Sequence, residues 1–146
     1  MVKITRDLKS NYTFPVSDKS IKKAIELALK EKDRDLEILI TVPKTNEDIN
    51  SYARYDPDNK RIILFAHYTL EDGTMLVGPL EMSKKEFRKT ILEEIIFHEA
   101  GHHIGIKYYN DKSEDFAENY LNKIKRKLNY EARRKAKKDN RRSRKI

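Results

Sequence analysis

The sequence predicts an α+β fold: an N-terminal helix packed on a small, mostly antiparallel sheet, followed by two further helices. Three observations carry this. Ile21, Ala24, Ile25 and Ala28 recur at helical spacing, short alternating apolar runs broken by turn residues come next, and helical spacing returns after Ser83. The 146 residues suit one domain with a real core.

Each element has a local reason. Residues 1–16 read as an irregular segment ending at Pro15-Val16, and Ser17 is placed to cap a first helix running to about Lys32. Leu36, Ile38, Ile40 and Val42 alternate with Glu37, Leu39 and Thr41, a strand stopped by Pro43. Residues 51–55 and 61–67 flank the turn cluster Asp56-Pro57-Asp58-Asn59-Lys60 and predict a hairpin. Asp72-Gly73 marks another turn, and Gly78-Pro79 is expected to close the β part. Ser83 and Glu86 have capping-box spacing, so a helix follows with Phe87, Ile91, Ile95 and Ile96 on its apolar face and Gly105 as its stop. The last helix begins near residues 111–113, with Ala117, Leu121, Ile124 and Leu128 as its stripe and Phe116 and Tyr120 widening it. Beyond Leu128 the apolar face fades. The core domain is therefore expected over 1–128, with 129–146 a basic tail that is no domain of its own.

Composition excludes several classes. No run approaches the roughly 20 apolar residues of a spanning helix, so no membrane partner is expected. Cysteine is absent, which removes disulfides, thiolate metal sites and a cysteine nucleophile. The first residues hold no apolar stretch of signal-peptide length, so the expected location is cytoplasmic. Charge is split along the chain. Residues 123–146 hold thirteen Lys/Arg against Glu131 and Asp139, a net +11, while residues 1–122 carry a net −3.

The residues with chemistry lie on the second helix, in His98-Glu99-Ala100-Gly101-His102. Two histidines one turn apart point the same way, so both rings can reach one Zn²⁺ at about 2.0–2.1 Å. Glu99 lies close enough to act as general base on water activated by that ion. Catalysis needs a third protein ligand and one open position. Glu114 and Glu118, one turn apart on the last helix, are the best candidates. The first can bind metal, and the second can accept the Nδ1–H of a ligating histidine. Asp115 and Glu118 are the fallback ligands. A capping role for the Asp111-Lys112-Ser113-Glu114 run competes with this reading.

His98-Glu99-Ala100-Gly101-His102 followed by Glu114-Asp115-Phe116-Ala117-Glu118 resembles the gluzincin metallopeptidases, where a glutamate helix supplies the third zinc ligand. The short remaining chain makes it most similar to the minigluzincins, small soluble archaeal proteins that reduce this architecture to a minimal scaffold. The resemblance covers roughly residues 17–128. It implies a zincin-like fold and a zinc-dependent peptidase acting on a peptide or protein. His98, His102 and Glu114 would be ligands, Glu99 the general base and Glu118 the supporting acid. The departures are a very short gap between His102 and Glu114 and the long basic extension. A metzincin reading of HExxHxxG is the lesser alternative on two counts: Tyr108 stands where a third histidine belongs, and no methionine follows the motif.

Weaker candidates complete the set. Tyr108, Tyr109 and His103 are considered as oxyanion donors, and Tyr108 and Tyr109 equally as loop aromatics packing on the core. His67, at a strand end, reads as a surface histidine. The 61–67 strand is expected to present an edge along which a peptide backbone can align. The tail has three readings. It can be an inert solvated end, it can contact nucleic acid through phosphates, or it can dock on the acidic body and obstruct the cleft of a latent enzyme. The alternative to a peptidase is a basic-tailed, nucleic-acid-associated module whose zinc is structural or vestigial.

Overall fold

The computed structural model describes residues 2–144. Its strands are β1 (Lys3–Asp7), β2 (Tyr12–Thr13), β3 (Glu37–Thr41), β4 (Ala53–Asp56), β5 (Arg61–Phe65), β6 (His67–Thr69), β7 (Met75–Val77) and β8 (Leu80–Met82). Its helices are α1 (Asp18–Ala28), α2 (Asn46–Ile49), α3 (Lys84–Thr90), α4 (Ile96–Tyr109) and α5 (Glu114–Arg144), with a π-helical segment at Ile91–Ile95 joining α3 to α4. The α+β class is observed. Among the described residues, no helix is long and apolar enough to cross a membrane.

Local signals explain the helix starts. Ser17 accepts from the Ser20 amide at the head of α1, and Ser83 accepts from the Glu86 amide at the head of α3. The start of α5 is capped by Ser113, which accepts from the Phe116 amide, while Asp111 accepts from the Ser113 amide. Glu114 thus stands just past the cap, where a carboxylate also suits the helix dipole.

The sheets depart from expectation. One is four-stranded in the order β1-β3-β5-β4, with β1 and β5 both parallel to β3 and only β4 antiparallel to its neighbour β5. A second, antiparallel sheet has the order β2-β6-β7-β8. The principal sheet is therefore mixed rather than mostly antiparallel. The 61–67 strand is not an edge: β5 is interior and its Ile62, Ile63, Leu64 and Phe65 are all buried. A continuous apolar run is what a strand covered on both faces needs. The free edge beside the hairpin belongs to β4. The N-terminal segment is not irregular, because β1 pairs residue for residue with β3. Its charged residues hid it, and they suit an outer strand. Arg6 fastens it by donating to the Phe14 and Val16 carbonyls and pairing with Asp18 at 2.9 Å. Gly78-Pro79 turns β7 into β8 instead of ending the β part.

The core joins α1 (Ile21, Ile25) and β3 and β5 (Ile38, Ile40, Ile62, Leu64) to the α3–α4 helix (Phe87, Ile91, Ile96, Ala100). His67 belongs to it as well. It is 1% exposed, edge-on to Tyr52 and Phe87, with Nε2 unpartnered, so the surface reading fails. Burial holds its pKa down to about 4, against a smaller upward pull from a hydrogen bond to the Ser51 backbone.

Gly105 does not end the helix; α4 runs on to Tyr109 and is closed by Asn110 in the left-handed region at φ 50°. The two glycines of α4 are packing residues. A Cβ on Gly101 would lie 2.9 Å from the Ala117 Cα and 3.0 Å from the Ala117 carbonyl oxygen, and one on Gly105 would lie 2.7 Å from the Asp111 carbonyl oxygen. α4 and α5 therefore meet backbone to backbone. Helix α5 has 31 residues and crosses the expected boundary at Leu128 without a break. Its last packed apolar residue is Leu128, and residues 129–139 are exposed. Residues 145–146 of the tail lie outside the described residues.

Two outcomes are expected. Gly101→Ala gains roughly 1 kcal/mol of helix propensity but overpacks the seam, so urea unfolding should show a net loss of about 1–3 kcal/mol. His67 is neutral when folded and takes a proton when unfolded, so its contribution is lost as pH falls below about 6.5 toward 4. Unfolding titrations at pH 7 and pH 4 should show wild type losing up to about 3 kcal/mol relative to His67→Phe.

Candidate metal centre

The α4 helix carries His98, Glu99 and His102, and the first turns of α5 carry Glu114 and Glu118. Because the helices touch at Gly101, the carboxylates reach across the seam. His98 Nε2 lies 2.8 Å from one Glu114 oxygen, and His102 Nε2 lies 3.2 Å from the other. Donors about 2.0–2.1 Å from a tetrahedral ion are themselves about 3.3 Å apart. Each imidazole thus has a Glu114 oxygen at a distance near the donor–donor spacing of a zinc site. Glu118 approaches the other ring nitrogen, His98 Nδ1, at 3.3 Å. With a metal bound at Nε2, Glu118 would be placed to accept the Nδ1 proton. Of the two fallback ligands, Glu118 is the one beside His98, and Asp115 makes no hydrogen bond or ion pair with the cluster.

Glu99 is the other carboxylate in reach. Its oxygen and ring nitrogens of His98 and His102 lie within 4.8 Å of one another, so these three could also hold a metal ion. Its surroundings differ from those of Glu114. Glu99 is 6% exposed and its Oε2 is buried without a hydrogen-bond partner, whereas the Glu114 side chain is largely in solvent. Burial raises the Glu99 pKa to about 7; Glu114 pushes it further up and His98 pulls it down. Burial lowers the His102 pKa, with His98 adding to the effect and Glu114 opposing it. For Glu114 burial works upward, but hydrogen bonds from His98 and the neighbouring His102 outweigh it and hold the carboxyl low. The donor set of two imidazole nitrogens and one carboxylate suits Zn²⁺, and the orphaned Glu99 oxygen is placed to receive a proton.

These residues line an open cleft of about 650 Å³. Its opposite wall is β4 and the residues before it, Ser51 to Tyr55, and Glu94, Lys112, Asn122 and Lys125 complete the rim. Lys125 pairs with Glu94 at 3.2 Å, bridging α5 to the π-helical turn. Sequence reasoning missed β4 as a wall. The polar run Ala53-Arg54-Tyr55-Asp56 beside the all-apolar β5 was the available signal.

The expected oxyanion donors lie elsewhere. His103 is 1% exposed and faces away from the cleft: Nδ1 shares a hydrogen bond with the Tyr55 hydroxyl at 2.6 Å, and Nε2 lies 3.0 Å from both the Asp33 carbonyl and an Asp35 carboxylate oxygen. Tyr108 donates to the Asp33 carboxylate, and Tyr109 is exposed and packs on Phe116. None of the three lines the cleft. Residue i+1 to a ligand points about 100° round the helix, which is why His103 serves the scaffold. Nor do residues 129–139 enter the cleft; they continue α5 as exposed helix, not as a segment folded back over the site.

Comparison with protein-family models, curated proteins and solved structures finds no match. The site's chemistry therefore rests on its own geometry.

Calorimetric titration at neutral pH should show one Zn²⁺ per chain. His98→Ala, His102→Ala and Glu114→Ala should each reduce affinity by more than about 100-fold, and Glu118→Ala by about 10–100-fold, with Asp115→Ala unchanged. Full affinity in Glu114→Ala with loss in Glu99→Ala would move the third ligand to Glu99.

Proposed function

We propose that the protein is a zinc-dependent peptidase of the gluzincin type on a zincin-like scaffold. The observation that carries this reading is the convergence of His98, His102 and Glu114 beside the unpartnered, buried Oε2 of Glu99. His98, His102 and Glu114 would hold the ion, and Glu118 would orient His98 through Nδ1. Bound zinc supplies a Lewis acid that polarises the scissile carbonyl and acidifies water. Glu99 takes the proton from the attacking water at its carboxylate and passes it to the leaving amine. The buried position of Glu99 keeps bulk water from competing for that proton.

Substrate alignment is assigned to β4 in place of the 61–67 strand. An edge strand along a cleft offers backbone N–H and C=O groups to an extended peptide, which adds as a further strand. The open cleft and the four-residue loop between α4 and α5 leave little enclosure, which fits unstructured peptides better than folded proteins.

In a fluorogenic-peptide or denatured-casein assay, Glu99→Gln should retain zinc and lose hydrolysis by roughly 10²–10⁴-fold. Undiminished hydrolysis by Glu99→Gln, or none by the zinc-loaded wild type, rejects the reading.

A further inference from the structure

The second half of α5 has no part in the cleft, and its surface is organised. At about 100° per residue, Lys123, Lys127, Arg134 and Lys138 fall along one line, with Arg126, Arg133 and Lys137 along the next. Together they form a stripe roughly 140° wide, on the other side of the helix from Ile124 and Leu128, which face the body. Tyr130, 68% exposed, sits in the middle of it. Glu131 and Asp139, the acids of this segment, lie at its border or beyond. Every cation of the stripe is exposed, and none makes an ion pair with another described residue; Lys125, which pairs with Glu94, lies outside the stripe.

Charge of one sign at i and i+4 (Lys123 with Lys127, Arg133 with Lys137, Arg134 with Lys138) opposes the helix that carries it. An extended polyanion relieves that repulsion. The stripe spans about 22 Å from Lys123 to Lys138, a length that follows a run of phosphates. A membrane surface fits poorly, because beyond Leu128 the described apolar side chains are only Tyr130, Ala132 and Ala136 and give no face to insert. The helix is about 10–12 Å across, matching the roughly 12 Å major groove of B-form DNA, while the narrow major groove of duplex RNA excludes it.

We propose that the exposed basic face of α5 from Lys123 onward is a docking surface for duplex DNA, bound through its phosphates without regard to sequence. Lys123, Arg126, Lys127, Arg133, Arg134, Lys137 and Lys138 contact phosphates on both walls of the groove. The site is separate from the cleft and needs no metal.

The test uses the full chain and a fluorescein-labelled 20-base-pair duplex of arbitrary sequence, read by fluorescence anisotropy with and without EDTA. With these seven phosphate contacts, affinity should fall by roughly 10³–10⁴-fold between 50 and 200 mM salt. The variant R133E/R134E/K137E/K138E alters only exposed residues past the core. It should bind at least about tenfold more weakly and flatten the logarithmic salt slope by about three or more. Reversal of Lys19, Lys22 and Lys23 on α1 should leave binding unchanged. Any one of four results overturns the proposal: no binding at 50 mM salt, undiminished binding by the tail variant, equal affinity for duplex RNA or poly-glutamate, or preference for phosphatidylserine vesicles. Each leaves the peptidase reading standing, since hydrolysis and zinc titration are measured independently.

Discussion

The candidate site depends on one close contact, the backbone approach of α4 to α5 across Gly101 and Gly105. A side chain at either position would strike backbone or the Phe116 ring, so the two helices can be this near only because both residues are glycine. That nearness decides the chemistry. Glutamate has a short reach, and its oxygens arrive at both imidazole Nε2 atoms only from a helix packed directly alongside. The sharp turn at Asn110 and the Ser113 cap set where α5 starts, and hence which of its carboxylates faces the histidines.

The histidine helix is held from two sides. On the cleft side Glu114 and Glu118 engage His98 and His102. Behind it, His103 is fixed by Tyr55, Asp33 and Asp35, and Lys107 pairs with Asp35 at 3.0 Å. For Asp35 burial works upward, but hydrogen bonds from Lys107 and His103 outweigh it and hold the carboxyl well below its usual range. This rear network sets the rotation of α4 about its axis. A helix turned by even one residue's angle would carry the two ring nitrogens off their common target. Neighbouring residues of one helix thus have different surroundings: His102 faces the cleft and Glu114, His103 is tied to the scaffold, and Glu99 is buried with an unpartnered oxygen. The two carboxylates differ in environment: Glu99 is buried, and Glu114 is open to solvent and bonded to imidazoles.

Helix α5 serves three purposes in succession. Its first turns face the histidines, its middle buries Ala117, Leu121 and Ile124, and its end projects as a charged rod. The split between a net −3 over residues 1–122 and a net +11 over residues 123–146 follows that division. No change of secondary structure marks the border, because a helix needs only its own backbone hydrogen bonds to continue where core contacts stop.

By itself, the sequence determined the helix starts at Ser17 and Ser83, the strand around Ile38 and Ile40, the turn between β4 and β5, and the pairing of His98 with His102 one helical turn apart. All of these are local: a cap, an alternation, a turn or a pair of residues one helical turn apart is written within a few positions. Tertiary structure alone decided what depends on partners distant in the chain. The charged segment Lys3–Asp7 became a strand because β3 offered it an edge, and β5 moved inward because its apolar residues needed cover on both faces. His67 was drawn into an aromatic core, and His103, Tyr108 and Tyr109 were turned away from the cleft. The direction a side chain takes is settled by which surface its element packs against, and that information is spread over residues dozens of positions apart.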